Sequence, residues 1–159
     1  MASGIMSEAI LIIASVVIAT AIAGVVMNQV GVFESTFTAT TNSQKDIILT
    51  KVQIVYATNT TTSNINVWVK NIGDNPVVNS NQTDVYFGQI NQVKNIPRNP
   101  NKLQNTWTWD APLPQPIWNK AETHSINITD STIKRGVTYQ VTVITPNGVS
   151  DEFIFSLPG

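Results

Sequence analysis

From Ala9 to Phe33 the chain carries no charged residue, and Ala9–Val26 reads AILIIASVVIATAIAGVV, interrupted only by Ser15 and Thr20. As a helix, 25 such residues rise about 37 Å, against a hydrocarbon core of about 30 Å. Ile10, Leu11, Ile12, Ile13, Val16, Val17, Ile18, Ile22, Val25 and Val26 form the expected membrane segment. Val26, Val30, Phe33 and Phe37 keep a helical spacing beyond it. Thr38–Ser43, rich in weak helix formers, is expected to end the helix as a neck.

After the neck the period changes to two. Ile48, Val52, Ile54 and Tyr56 alternate with polar residues over Ile47–Ala57. Ile65, Val67 and Val69 make a second apolar face, closed by the turn Gly73-Asp74-Asn75-Pro76. Asp84–Ile90, Thr106–Asp110, Ser125–Thr129, Val137–Val143 and Val149–Leu157 complete about seven short strands, and the last two are expected to form a hairpin. Asn91–Gln104, with Pro97 and Pro100, and the proline-rich Ala111–Trp118 cannot be central strands and read as surface loops or edge segments. The predicted fold is α+β: one long hydrophobic helix over residues 1–40, then an immunoglobulin-like all-β sandwich over residues 41–159.

Composition narrows the function classes. Net charge is −1, so there is no electrostatic footprint for nucleic acid. Charged residues make up only 12% of the chain, and asparagine and threonine supply the polarity instead. The chain has no cysteine, which removes disulfides and thiolate chemistry, and a β-domain of this kind must hold together by its core. His124 is the only histidine and reads as an ordinary strand residue; the adjacent acids Asp151 and Glu152 point to opposite faces of a strand. No catalytic group, metal or cofactor is expected, and an enzyme is the least favoured class.

The leader region MASGIMSE has no Lys or Arg, and the first basic side chain is Lys45. The hydrophobic segment is therefore expected to be retained, with cleavage after Gly4 as the alternative. Ser15, Ala19 and Ala23 recur four residues apart on one face, where small side chains let helices approach closely. Trp107, Trp109 and Trp118 fill the core on the favoured reading; a protein contact or a stacked sugar are the alternatives. Asn59, Asn81 and Asn127 head three glycosylation sequons, which together put the β-domain outside the cell.

The N-terminus Met1-Ala2-Ser3, then Ile5, then Ser7–Leu11, followed by AIAGV at Ala21–Val25, resembles the archaellum stator protein G family of archaea. VWVKNIGDNPV at Val67–Val77 is similar to a strand–turn pattern in the outer domains of archaellins and of the stator proteins F and G, and Thr145–Phe155 fits the same group. The resemblance implies a type IV pilin-like layout and self-assembly through the helix into an oligomer or filament. It implies further that the outer domain meets stator protein F, and through it the S-layer. A filament subunit, archaellin or adhesive pilin, is the second reading; a membrane-tethered binding protein for glycan or solute is the third.

Overall fold

The computed structural model describes residues 2–110 and 116–157. Two compact units emerge, Met1–Gln44 and Lys45–Gly159. The first is almost wholly part of α1 (Ala2–Leu49). The helix does not stop at Thr38–Ser43. Adding residues to an existing helix carries no nucleation cost. The hydroxyls of Thr36 and Thr40 are satisfied by carbonyls one turn back, Val32 O and Thr36 O, at 2.9 Å each. Ile47 and Ile48 lie in the helix and are exposed, so Ile48 belongs to no strand face.

In the second unit, β1 (Val52–Asn59), β2 (Asn64–Asn71), β8 (Thr123–Thr129) and β6 (Thr106–Trp109) form one antiparallel sheet, in the order β1-β2-β8-β6. The other sheet runs β10 (Ser150–Ser156), β9 (Thr138–Ile144), β4 (Asp84–Gln89) and β5 (Lys94–Ile96). The expected β9–β10 hairpin is present, with Ser150 paired to Ile144 and Ser156 to Thr138. β3 (Val77–Val78) and β7 (Ile117–Trp118) form a separate two-stranded ribbon. β5 falls inside Asn91–Gln104 and is an edge strand. Ala111–Gln115, the bulk of the proline-rich segment, lies outside the described residues.

The core is what period two dictates. Ile65, Val67 and Val69 of β2, Ile126 and Ile128 of β8, and Val141 and Val143 of β9 are fully enclosed. Burying each such side chain is worth about 1.5–3 kcal/mol, enough to hold a small domain without disulfides. One inward expectation fails: Tyr56 is 55% exposed. The β1–β2 register shifts between Ile54 and Tyr56, which leaves Val55 unpaired and turns Ala57 inward in place of Tyr56.

Candidate functional site

Among the described residues, no three His, Asp or Glu side chains come close enough to hold a metal ion. His124 sits half-buried on β8, with Nε2 3.4 Å from the Glu122 carboxylate. Asp151 and Glu152 diverge as strand geometry requires. Asp151 turns toward β1 and accepts the Ile54 N–H at 2.7 Å, while Glu152 is exposed.

The helix presents apolar side chains on all sides from Ile5 to Phe37 and is long and apolar enough to cross a membrane. Within Ala9–Val26 the two polar interruptions are satisfied in the helix itself: Ser15 Oγ donates to Ile12 O at 2.8 Å, and Thr20 Oγ1 to Val17 O at 2.9 Å. That suits lipid or a filament core, where no water is at hand to accept them. Ser15, Ala19 and Ala23 share one exposed face of this helix.

The three tryptophans lie in the core. Trp107, Trp109 and Trp118 are 1%, 4% and 0% exposed. They pack edge to face, with centroids 5.4 Å apart for Trp107–Trp109 and 5.8 Å for Trp109–Trp118, and His124 closes the cluster at 6.1 and 5.9 Å from Trp109 and Trp118. Trp118 Nε1 donates to Glu122 O at 3.0 Å. A partner cannot reach these rings without unfolding β6 and β7, which removes the contact and sugar readings for them.

β7, which carries Trp118, lies in a two-stranded ribbon and among the described strands has β3 as its one partner. Pro116 O accepts Ser80 N–H at 3.0 Å. On one side of the sandwich the β5 strand continues into a parallel bridge with β6. Trp107 N–H donates to Pro97 O at 3.0 Å and Asn99 N–H to Trp107 O at 2.8 Å. On the other side the Asp151–Ile54 bond fastens β10 to β1.

The sequons separate on burial. Asn81 is exposed in the short 3-10 turn Ser80–Gln82, and Asn59 is half-buried at the end of β1. Asn127 is 6% exposed, and its Nδ2 donates to Asn66 Oδ1 at 2.6 Å. The nitrogen that would carry a glycan at Asn127 is thus buried and already hydrogen-bonded in the folded domain.

One feature of the outer face, the half-buried Trp68, carried no expectation from the sequence. Trp68 pairs with Tyr56 across β2 and β1 on the outer face, ring centroids 5.7 Å apart. Its signal was period two: Trp68 lies between the inward Val67 and Val69 and must point outward. Charge on this unit is sparse and local. Lys120 Nζ lies 2.6 Å from Asp74 Oδ1 and holds that carboxyl below its ordinary range. Hydrogen bonds from the Asn119 side chain and backbone do the same for Glu122.

The last turn of α1 is hydrogen-bonded into the β-domain. Asn75 Nδ2 donates to Asp46 Oδ1 at 3.1 Å, and Asn147 Nδ2 to Thr50 Oγ1 at 2.7 Å. These residues line a cleft of about 400 Å³ with Pro76, Val77 and Pro146.

The arrangement, an apolar helix leading into an antiparallel sandwich, agrees with the comparisons. The family model described as archaeal-type flagellin matches residues 2–155. No curated protein matches. The archaellum periplasmic stator protein FlaG from Sulfolobus acidocaldarius is similar at 26% identity and a TM-score of 0.60, covering 67% of this chain and 100% of that one. The solved complex of FlaF and FlaG from the same organism gives the same identity, TM-score and share of this chain, with 90% of that chain covered. The archaeal flagellum of Methanospirillum hungatei strain JF1 is similar in fold at 16% identity and a TM-score of 0.64, covering 96% of this chain and 93% of that one.

Proposed function

The chain belongs to the archaeal-type flagellin family, a family of structural archaellum components, and from that premise we propose that it is a membrane-anchored stator component of the archaellum motor. The apolar helix anchors it and associates through the face of Ser15, Ala19 and Ala23. The β-domain, outside the membrane, meets a partner stator protein of the FlaF kind and through it the S-layer. A rotary motor in a fluid bilayer must push against something fixed, or its housing turns instead. A lipid-embedded helix continuous with a hydrogen-bonded sandwich supplies such a link, and no catalytic group is needed for it.

The observation that carries this reading is the match to the solved FlaG chain, all of which is covered at 26% identity, against 16% for the filament. A second reading, a structural filament subunit, is favoured by the length of the filament match, which takes in 96% of this chain. Fractionation of native cells separates the two. A stator component stays with the membrane after shearing, and chemical cross-linking joins it to a second sandwich-type archaellum protein. Recovery of the chain as the main subunit of sheared extracellular filaments, with a mature N-terminus after Gly4, replaces the stator reading with the filament one.

A further inference from the structure

The two sheets part at the pole of the β-domain opposite Thr50. There β4 ends at Gln89, paired with Tyr139 near the start of β9, and β8 ends at Thr129. A cleft of about 380 Å³ opens between them, inside the size range of small-molecule sites. Phe87 and Tyr139, both buried and stacked with centroids 5.4 Å apart, form part of its floor. Gln92, Lys94, Asn105 and Asp130 form its walls.

The walls are held in place before any ligand arrives. Gln92 N–H donates to Gln89 O at 2.8 Å in the turn after β4, and Asn91 takes a φ of 66° there. Gly88 permits the turn, since a Cβ at that position would lie 3.0 Å from both the Gln92 carbonyl carbon and Val93 Cα. Asp130 Oδ1 accepts from Thr132 N–H at 2.8 Å and from Gln104 Nε2 at 3.2 Å, so among the described residues Oδ2 is the oxygen left for a ligand.

The chemistry selects a ligand class. One ammonium and one carboxylate share the cleft, so neither an anion nor a cation gains from net charge. Side-chain amides offer a donor and an acceptor side by side, matching neighbouring hydroxyls that each donate and accept. An apolar floor under such a rim suits a ring with C–H faces and hydroxyl edges. We propose that this cleft binds a neutral pyranose sugar, either free or as the terminal residue of a protein-linked glycan. The proposal goes beyond the stator reading and does not depend on it, because a filament subunit would carry the same cleft.

The test is saturation-transfer NMR on the full chain in lauryldimethylamine oxide, a detergent with no sugar headgroup. The probes are the methyl pyranosides of glucose, galactose and mannose. Transfer to at least one is expected, and binding should weaken about tenfold or more when a wall amide is lost. The variants are Gln92→Ala and Asn105→Gly; the second preserves the positive φ of Asn105, 55°. Both should leave thermal unfolding unchanged. Retention of envelope glycoprotein that disappears after periodate oxidation of its sugars identifies the protein-linked source; binding of the free glycosides alone identifies the other. No transfer up to about 20 mM, well above a millimolar dissociation constant, overturns the proposal. Equal transfer in the variants, or transfer only to a peptide probe such as N-acetylglycinamide, also overturns it.

Discussion

Gly73→Ala is a one-methyl change placed where the helix is tied to the sandwich. The turn Ile72–Asn75 wraps the end of α1: Asp74 and Asn75 donate to Leu49 O at 2.8 and 3.1 Å, and Ile72 and Gly73 donate to Lys51 O at 2.8 and 2.9 Å. The two bonds to Leu49 O satisfy a carbonyl that the end of a helix otherwise leaves open. A Cβ on Gly73 would sit 2.5 Å from Leu49 O and nearer still to Lys51 N. Both atoms are backbone and cannot swing aside, so the turn must move away. Overpacking of this kind costs about 1–3 kcal/mol, and losing one or two of the four bonds adds about 1 kcal/mol each. The sum is about 2–5 kcal/mol. For a domain of this size it lowers the melting temperature by roughly 8–20 °C. The assay is thermal unfolding of the full chain followed by tryptophan fluorescence, which reports the β-domain alone because all four tryptophans lie there. Gly31→Ala is the control: its Cβ meets nothing within 4 Å and should leave that transition where it is. A Gly73→Ala transition within about 2 °C of the wild type, well under the shift expected for 1 kcal/mol, refutes the argument that close backbone approach fixes this glycine.

Ala19→Leu should weaken self-association in light scattering while the β-domain transition stays put, since the change lies in the first unit; unchanged scattering rules out the Ser15–Ala19–Ala23 face. Mass spectrometry of protein from the native host should find glycan at Asn81 before Asn59 and none at Asn127, whose amide is engaged by Asn66; occupancy at Asn127 would mean β8 is modified before it folds. Asp74 and Glu122 have carboxyl pKa values lowered in the fold, so their contribution is complete above the ordinary carboxylate range and is lost as pH falls through it. The melting temperature should therefore be flat from neutral pH to about 5 and fall only below about 4; a decline already at pH 6 would refute the assignment to these two carboxylates.

The helix and seven strands were legible because each carries its own period over enough residues to repeat. β3 and β7 have two residues each and β5 three, too few to show any period, and their existence depends on partners far along the chain. The bulge at Val55 was hidden for the same reason: alternation predicts Tyr56 inward, and only pairing with β2 decides which residue is skipped. The burial of Asn127 was not legible from its sequon, because the motif states what the glycosylating machinery accepts, not that the side chain is enclosed beside Asn66. Alternation put Trp107 and Trp109 on one face but could not say whether that face is core or contact surface, which their burial decides, whereas Trp68 was overlooked despite an equally clear outward position.

A sandwich with open edges recruits neighbours by strand pairing, and this one holds its β1–β10 side shut with a side chain. Asp151 is the acceptor for Ile54 N–H, directly before the bulge at Val55. A backbone ladder there would be hard to undo; a single carboxylate is not. Asp151→Ala leaves the Ile54 N–H without its acceptor, at a cost of about 1–3 kcal/mol, and bares an edge flanked by the exposed Val55, Tyr56 and Ile154. Asp151→Asn keeps an oxygen in place and should cost less. If the carboxylate guards the edge, Asp151→Ala should both melt earlier and show concentration-dependent aggregation, with Asp151→Asn restoring most of each. An Asp151→Ala protein that melts earlier yet stays dispersed would show that β1 is protected by its bulge alone, and that Asp151 serves only stability.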